Sequence, residues 1–121
     1  MSDFNTDWAE ITFTPSGVPE VSAEWVHDHQ DEGFTLLDVR EADELTGPLS
    51  CIDGHTHVPM GQVTSKAADW DRDEAIVVYC RSGGRSAHIT EALGRMGFTR
   101  VASMAGGMIR WNNLSYPTKG C

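Results

Sequence analysis

Long apolar runs are missing from this 121-residue sequence. The longest, Ala75–Tyr79, falls far short of the roughly 20 residues that a membrane-spanning helix needs. No membrane partner is therefore expected. The opening stretch MSDFNTDWAE lacks both a basic segment and an apolar one, so no secretory signal is expected. Cysteine is scarce and odd in number: Cys51, Cys80 and Cys121 are widely spaced and make a poor disulfide framework. Free thiols in a reducing, cytoplasmic setting are the expectation, with Cys121→Ser silent.

Acids are almost missing after residue 74. Glu91 stands alone there against Arg81, Arg85, Arg95, Arg100, Arg110 and Lys119. The net charge of −9 thus combines an acidic body with a basic final third. The overall sign argues against nucleic-acid binding, whose affinity comes mostly from cationic neutralisation of phosphates. The local cations suit a small anion instead.

What is present reads as one α/β domain over residues 1–121, without internal repeats or low-complexity segments. Residues 1–8 read as a frayed polar start, and Glu10–Thr14 as a short edge strand. Ser22 reads as a helix N-cap, with Val21 and Val26 placed as a hydrophobic staple. Phe34–Val39 is a short, nearly continuous apolar run, the pattern of a strand covered on both faces. Glu41–Leu45 makes a helical turn, Cys51–Met60 is mostly extended, and Gln62–Trp70 reads as a helix. Ala75–Cys80 is the strongest strand. A helix beginning near Ser86 follows it, with Ile89, Ala92, Leu93 and Met96 on one face. Phe98–Ser103 reads as a last strand, and Met108–Trp111 as a short helix. Strands alternating with helices predict a mostly parallel sheet of about five strands, flanked by helices on both faces.

The chemistry concentrates after the strongest strand. That strand delivers Cys80 to the carboxyl edge of the sheet, where open α/β folds bind ligands. Arg81, Ser82, Gly83, Gly84 and Arg85 follow, then Ser86 at the helix start. The two glycines permit a tight turn that aims backbone N–H groups inward as an anion-holding nest. The helix dipole adds its positive end. An ordinary thiol of pKa ~8.5 is only about 3% ionised at pH 7. This environment predicts a lowered value and a nucleophilic thiolate at Cys80.

The run VVYCRSGGRSAHITEALGRMGF (77–98), with LLDVREADEL (36–45) and GGMIRWNN (106–113), resembles the rhodanese homology domain over about residues 20–115. The C-x-x-G-x-R-S loop of that family is matched by Cys80, Gly83, Arg85 and Ser86, its D-x-R element by Asp38 and Arg40, and its closing G-G-x-x-x-W by Gly106, Gly107 and Trp111. The resemblance implies a rhodanese-like fold and a sulfurtransferase that holds a sulfane sulfur as a persulfide on Cys80. The N–H groups of residues 81–85 would stabilise that sulfur, Arg85 would brace the loop, and Arg81 would face anionic donors. Asp38 is the expected carboxylate for a loop arginine, with Arg40 a further supporting residue. Implied partners are a small anionic donor such as thiosulfate, a thiol or cyanide acceptor, and a sulfur-carrier protein. No cofactor is implied.

The segment Cys51-Ile52-Asp53-Gly54-His55 departs from the family's usual His-Ile-Pro-Gly-Ala. Cys51, His55 and His57 stand at C-x3-H-x-H spacing, but no fourth ligand is apparent, so no metal is expected. Cys51 as a resolving thiol for Cys80 stays open. Two other functions compete with sulfur transfer. A cysteine phosphatase or arsenate reductase would use a similar loop, but those relatives resemble C-x5-R, whereas Cys80 to Arg85 is C-x4-R. The shorter loop closes around one sulfur atom rather than a tetrahedral oxyanion. A non-catalytic binding or redox-regulatory module is the third reading, although inert members typically lack the cysteine.

Overall fold

The computed structural model describes residues 4–121. One six-stranded sheet organises them, in the order β1-β2-β6-β5-β3-β4. Its strands are β1 (Thr12–Phe13), β2 (Pro19–Val21), β3 (Thr35–Asp38), β4 (Thr56–His57), β5 (Ile76–Tyr79) and β6 (Val101–Met104). Only β1 runs antiparallel to its neighbour; every other pairing is parallel. The sheet is thus one strand wider than expected. The additional strand, β2, is three residues long and begins at a proline, so it carries almost no periodic signal.

Five α-helices cover the sheet: α1 (Ala23–Asp28), α2 (Ala42–Leu45), α3 (Val63–Ala67), α4 (Gly84–Arg95) and α5 (Gly107–Asn113). Ser22 caps α1 as expected, its side chain accepting from the Trp25 N–H at 3.0 Å. None of these helices is long and apolar enough to cross a membrane.

Alternation along the buried strands separates two cores. Leu36, Val77, Tyr79, Ala102 and Met104 pack with Trp25, Val26 and Trp111 from α1 and α5. Leu37, Ile76, Val78, Cys80 and Val101 pack with Val63 and Leu93 from α3 and α4. Each buried Val, Leu, Ile or Met among these contributes about 1.5–3 kcal/mol, so the central strands are the most firmly held part of the sheet.

The frayed start expected for residues 1–8 does not hold where it is described. The Asn5 N–H donates to Thr99 O at 2.8 Å, Trp8 meets Trp25 edge-on, and Phe4 packs against the second core. Residues 1–3 lie outside the described residues. Two aromatic side chains in this stretch find apolar partners, which outweighs its polar composition.

Candidate active site

Cys80 directly follows β5, so the central strand places its sulfur at the carboxyl edge of the sheet, 1% exposed. Gly83 then adopts φ +114°, a left-handed conformation that L side chains rarely take, and α4 begins one residue later. This turn swings the first amides of α4 back over the strand end. The Gly83 N–H lies 3.2 Å from Cys80 Sγ, and the Ser86 N–H 3.4 Å from it. First-turn amides have no partner within their own helix, so the sulfur satisfies donors that would otherwise be unpaired.

Ser86 Oγ lies 3.6 Å from the same sulfur and 2.7 Å from Ser103 Oγ on β6. Ser86, Ser103 and Thr90 are all buried. When the sulfur is ionised, Ser86 can turn its proton to Sγ while accepting from Ser103. Burial alone pushes the Cys80 thiol up. The Ser86 hydroxyl and the N–H groups of Ser86, Gly83 and Ser82 outweigh burial, and the pKa falls below its ordinary value.

A second clamp comes from behind the loop. The Met108 N–H donates to Cys80 O at 2.9 Å, and the Ile109 N–H to Arg81 O at 3.0 Å. The start of α5 thus satisfies both carbonyls and ties the loop down from behind. Gly107, at φ +55°, permits this approach because its missing side chain is where those carbonyls stand.

The loop arginines divide. Arg85 binds Glu44 through both guanidinium nitrogens, Nη1 to Oε2 and Nη2 to Oε1, each at 2.8 Å. That hydrogen bonding lowers the Glu44 carboxyl to about 2 and raises Arg85 above its ordinary value. Arg81 is exposed and lines a cleft of about 310 Å³ beside the loop, where Arg40, Asp43 and Glu44 also lie. Ser82 and Gly84 are exposed as well.

Asp38 is not the partner of a loop arginine, contrary to expectation. Arg40, two residues on, claims it. Arg40 Nη2 donates to Asp38 Oδ2 at 2.7 Å, its Nε to Oδ1 at 3.0 Å, and its backbone N–H to the same Oδ1 at 3.0 Å. Both residues are buried, and Arg40 also donates to Ser50 O at 2.7 Å. Burial disfavours the charge on Arg40, but the Asp38 carboxylate more than offsets this and its pKa rises. Removing one member of such a buried pair typically costs about 3–5 kcal/mol, which makes this pair a structural floor under the cleft.

The thiol assignments change too. Cys51 and Cys121 form a disulfide with Cα atoms 6.3 Å apart, and Cys80 is the free cysteine. The bond is made because the chain after α5 folds back along the segment 50–51. Trp111 Nε1 donates to Pro117 O at 2.9 Å, and the Lys119 N–H to Cys51 O at 2.8 Å. Cys51 is therefore not a resolving thiol for Cys80 in this state, and the argument from three free thiols to a reducing compartment loses its basis. His57 donates its Nε2 N–H to Arg40 O at 2.7 Å.

Ser103 and the clamping role of Gly107 were missed from sequence. Ser103 had a signal: a serine between Ala102 and Met104 in a strand otherwise apolar must find a buried partner.

A parallel sheet, a cysteine at the end of its central strand and a ring of donors turned onto that sulfur define a class. The chain belongs to the rhodanese-like domain family, which it matches over residues 22–114. Relatives within that family carry the name sulfurtransferase. The chain is 33% identical over 126 residues to thiosulfate sulfurtransferase 16, chloroplastic, of Arabidopsis thaliana, covering 92% of this chain and 98% of that one. YrkF of Bacillus subtilis is 33% identical over 98 residues, across 79% of this chain; the chain spans only about half of YrkF, 52%. The rhodanese-related protein of Thermoplasma volcanium has the same fold, with a TM-score of 0.76 at 27% identity, covering 84% of this chain and 98% of that one.

Proposed function

We propose that the protein carries a sulfane sulfur on Cys80 as a persulfide, taking it from thiosulfate or a persulfide and passing it to cyanide or a thiol. In the first step the Cys80 thiolate attacks the outer sulfur of thiosulfate; a new S–S bond forms, and sulfite leaves with the electron pair of the old one. In the second step cyanide or a thiolate attacks the terminal sulfur, and Cys80 departs as a thiolate. Neither step calls for a metal or an organic cofactor.

The observation that carries this reading is the convergence of the Gly83 and Ser86 amides on the buried Cys80 sulfur. Donors already aimed at a sulfur anion stabilise both the attacking thiolate and the persulfide that replaces it. Arg81, exposed at the cleft, would attract the anionic donor, and Arg85, held by Glu44, would keep the loop in place. The C-x4-R spacing supports sulfur over phosphate. A thiosulfate sulfurtransferase among the relatives favours thiosulfate as donor, and the relation to YrkF, named as a sulfur carrier protein, favours a carrier as a partner.

The test is intact-mass spectrometry before and after thiosulfate. A reducible gain of one sulfur, located on Cys80 and lost in Cys80→Ser, is expected. Turnover of an aryl phosphate with no sulfur gained would overturn the assignment.

A further inference from the structure

Cys51, His55 and Cys121 place one ligand atom each within 4.8 Å of one another, in a group that includes no residue of the 80–86 loop. We propose that, once the Cys51–Cys121 bond is reduced, these three side chains hold one thiophilic d10 cation, zinc(II) or copper(I), and that reoxidation expels it.

The donor set favours such an ion. Two thiolates and an imidazole suit zinc and copper(I) over hard cations, which prefer oxygen. His55 is already oriented: its Nδ1 is 2.8 Å from Ile52 O, a carbonyl that can only accept. Nδ1 therefore carries the proton, and Nε2 keeps the lone pair needed for coordination. A ligating histidine ordinarily has this kind of backbone partner. The turn from Ile52 to His55, closed by the His55 N–H to Ile52 O at 3.3 Å, holds Cys51 and His55 on the same side of the chain.

The two sulfurs differ in freedom. Cys51 is fully buried, whereas Cys121 is exposed. With zinc–sulfur bonds near 2.3 Å, tetrahedral geometry puts the sulfurs ~3.8 Å apart. Cys121 can supply that movement. Three protein ligands leave a fourth position for solvent or an external thiolate. The structure thus replaces His57 of the C-x3-H-x-H spacing with a cysteine that lies 70 residues from Cys51.

The redox step balances with ordinary thiols. Two equivalents of a low-molecular-weight thiol reduce the bond, giving two protein thiols and one small disulfide. The cation then displaces both thiol protons. In the reverse direction the two thiolates give two electrons to a small disulfide, the S–S bond re-forms, two small thiolates leave, and the cation is released.

The experiment uses Cys80→Ser of the 121-residue chain, so that the remaining thiol cannot compete. The protein is reduced, freed of reductant and titrated with zinc(II) and separately with copper(I) against a chromophoric chelator. Cobalt(II) serves as the spectroscopic probe of thiolate coordination. One equivalent bound by the reduced protein and none by the oxidised protein is expected. Added His55→Ala should weaken binding by more than about 100-fold, beyond what outer partners alone carry. His57→Ala should leave binding unchanged. If circular dichroism shows that His55→Ala perturbs the fold, His55→Gln takes its place. No stoichiometric binding of either ion, equal binding by the oxidised protein, or undiminished binding without His55 would each overturn the proposal.

Discussion

A Cβ on Gly107 would stand 2.5 Å from the carbonyl oxygen of Cys80 and 2.6 Å from that of Arg81. Backbone cannot yield at such distances as a flexible side chain would. The loop that presents the sulfur is therefore pressed directly onto the start of α5. Gly107→Ala should push the loop off its amide clamp while leaving the sheet intact. Losing even one aligned donor at a developing anion typically costs on the order of 100-fold in rate. A fall of that order in sulfur transfer is expected, with an unchanged circular dichroism spectrum; full activity would show that the clamp does not set the loop.

Ser86 predicts a pH effect. Its hydroxyl and amide are chief among the groups that lower the Cys80 pKa against the opposing effect of burial. A lowered pKa means that thiolate persists to lower pH than in an ordinary cysteine. The rate of Cys80 alkylation, followed against pH, should therefore show a midpoint below the usual thiol range. Ser86→Ala should move that midpoint upward. An unmoved midpoint would remove the hydroxyl from the account.

Arg85 and Arg81 should behave differently. Arg85→Ala and Glu44→Gln should both lower kcat/KM by disordering the loop, whereas Arg81→Ala should chiefly raise KM for thiosulfate, as when ground-state and transition-state binding fall together. The Arg85–Glu44 pair also links to stability. Glu44 has its folded pKa depressed from 4.5 to about 2, so its contribution is present above about 4.5 and fades as pH falls toward 2. Both side chains are about one-third exposed, so that contribution should be no more than about 1 kcal/mol. Melting temperatures of the native protein and Glu44→Gln should differ at neutral pH and converge near pH 2.

Cys121→Ser should not be silent. The bond it removes closes a loop of 70 residues, and cross-links of this kind typically contribute about 2–4 kcal/mol by restricting the unfolded chain. Urea denaturation under oxidising conditions should show a loss of that size, and a reductant should produce the same loss in the unmodified protein. A difference within about 0.5 kcal/mol, the range of ordinary surface substitutions, would mean that the bond restrains only its own segment.

The part of the site that could be read in advance is the part built from neighbours in sequence. Ala75–Cys80 is apolar on both faces, and the glycines, Arg85 and Ser86 follow within six residues. Strand, turn and helix start are local events, so Cys80, its loop and α4 followed from chain chemistry alone. The capping of α1 by Ser22 followed for the same reason. Strand order did not, because strands covered on both faces look alike, and β2 was too short to announce itself.

The remaining relationships depended on packing between distant segments. Asp38, Glu41, Asp43 and Glu44 all lie in one short stretch, and composition does not show which of them Arg85 meets. The choice is tertiary: Asp38 points into the sheet edge where Arg40 saturates it, and α2 carries Glu44, 41 residues away, up to Arg85. The Ser86–Ser103 contact, the Gly107 clamp and the Cys51–Cys121 bond arise in the same way. Sequence determined which thiol would stand at the strand end inside a glycine turn, since strand, turn and helix start are local events. Only the folded chain decided what braces that turn, because side-chain pairing at long range is selected by geometry and burial rather than by residue type.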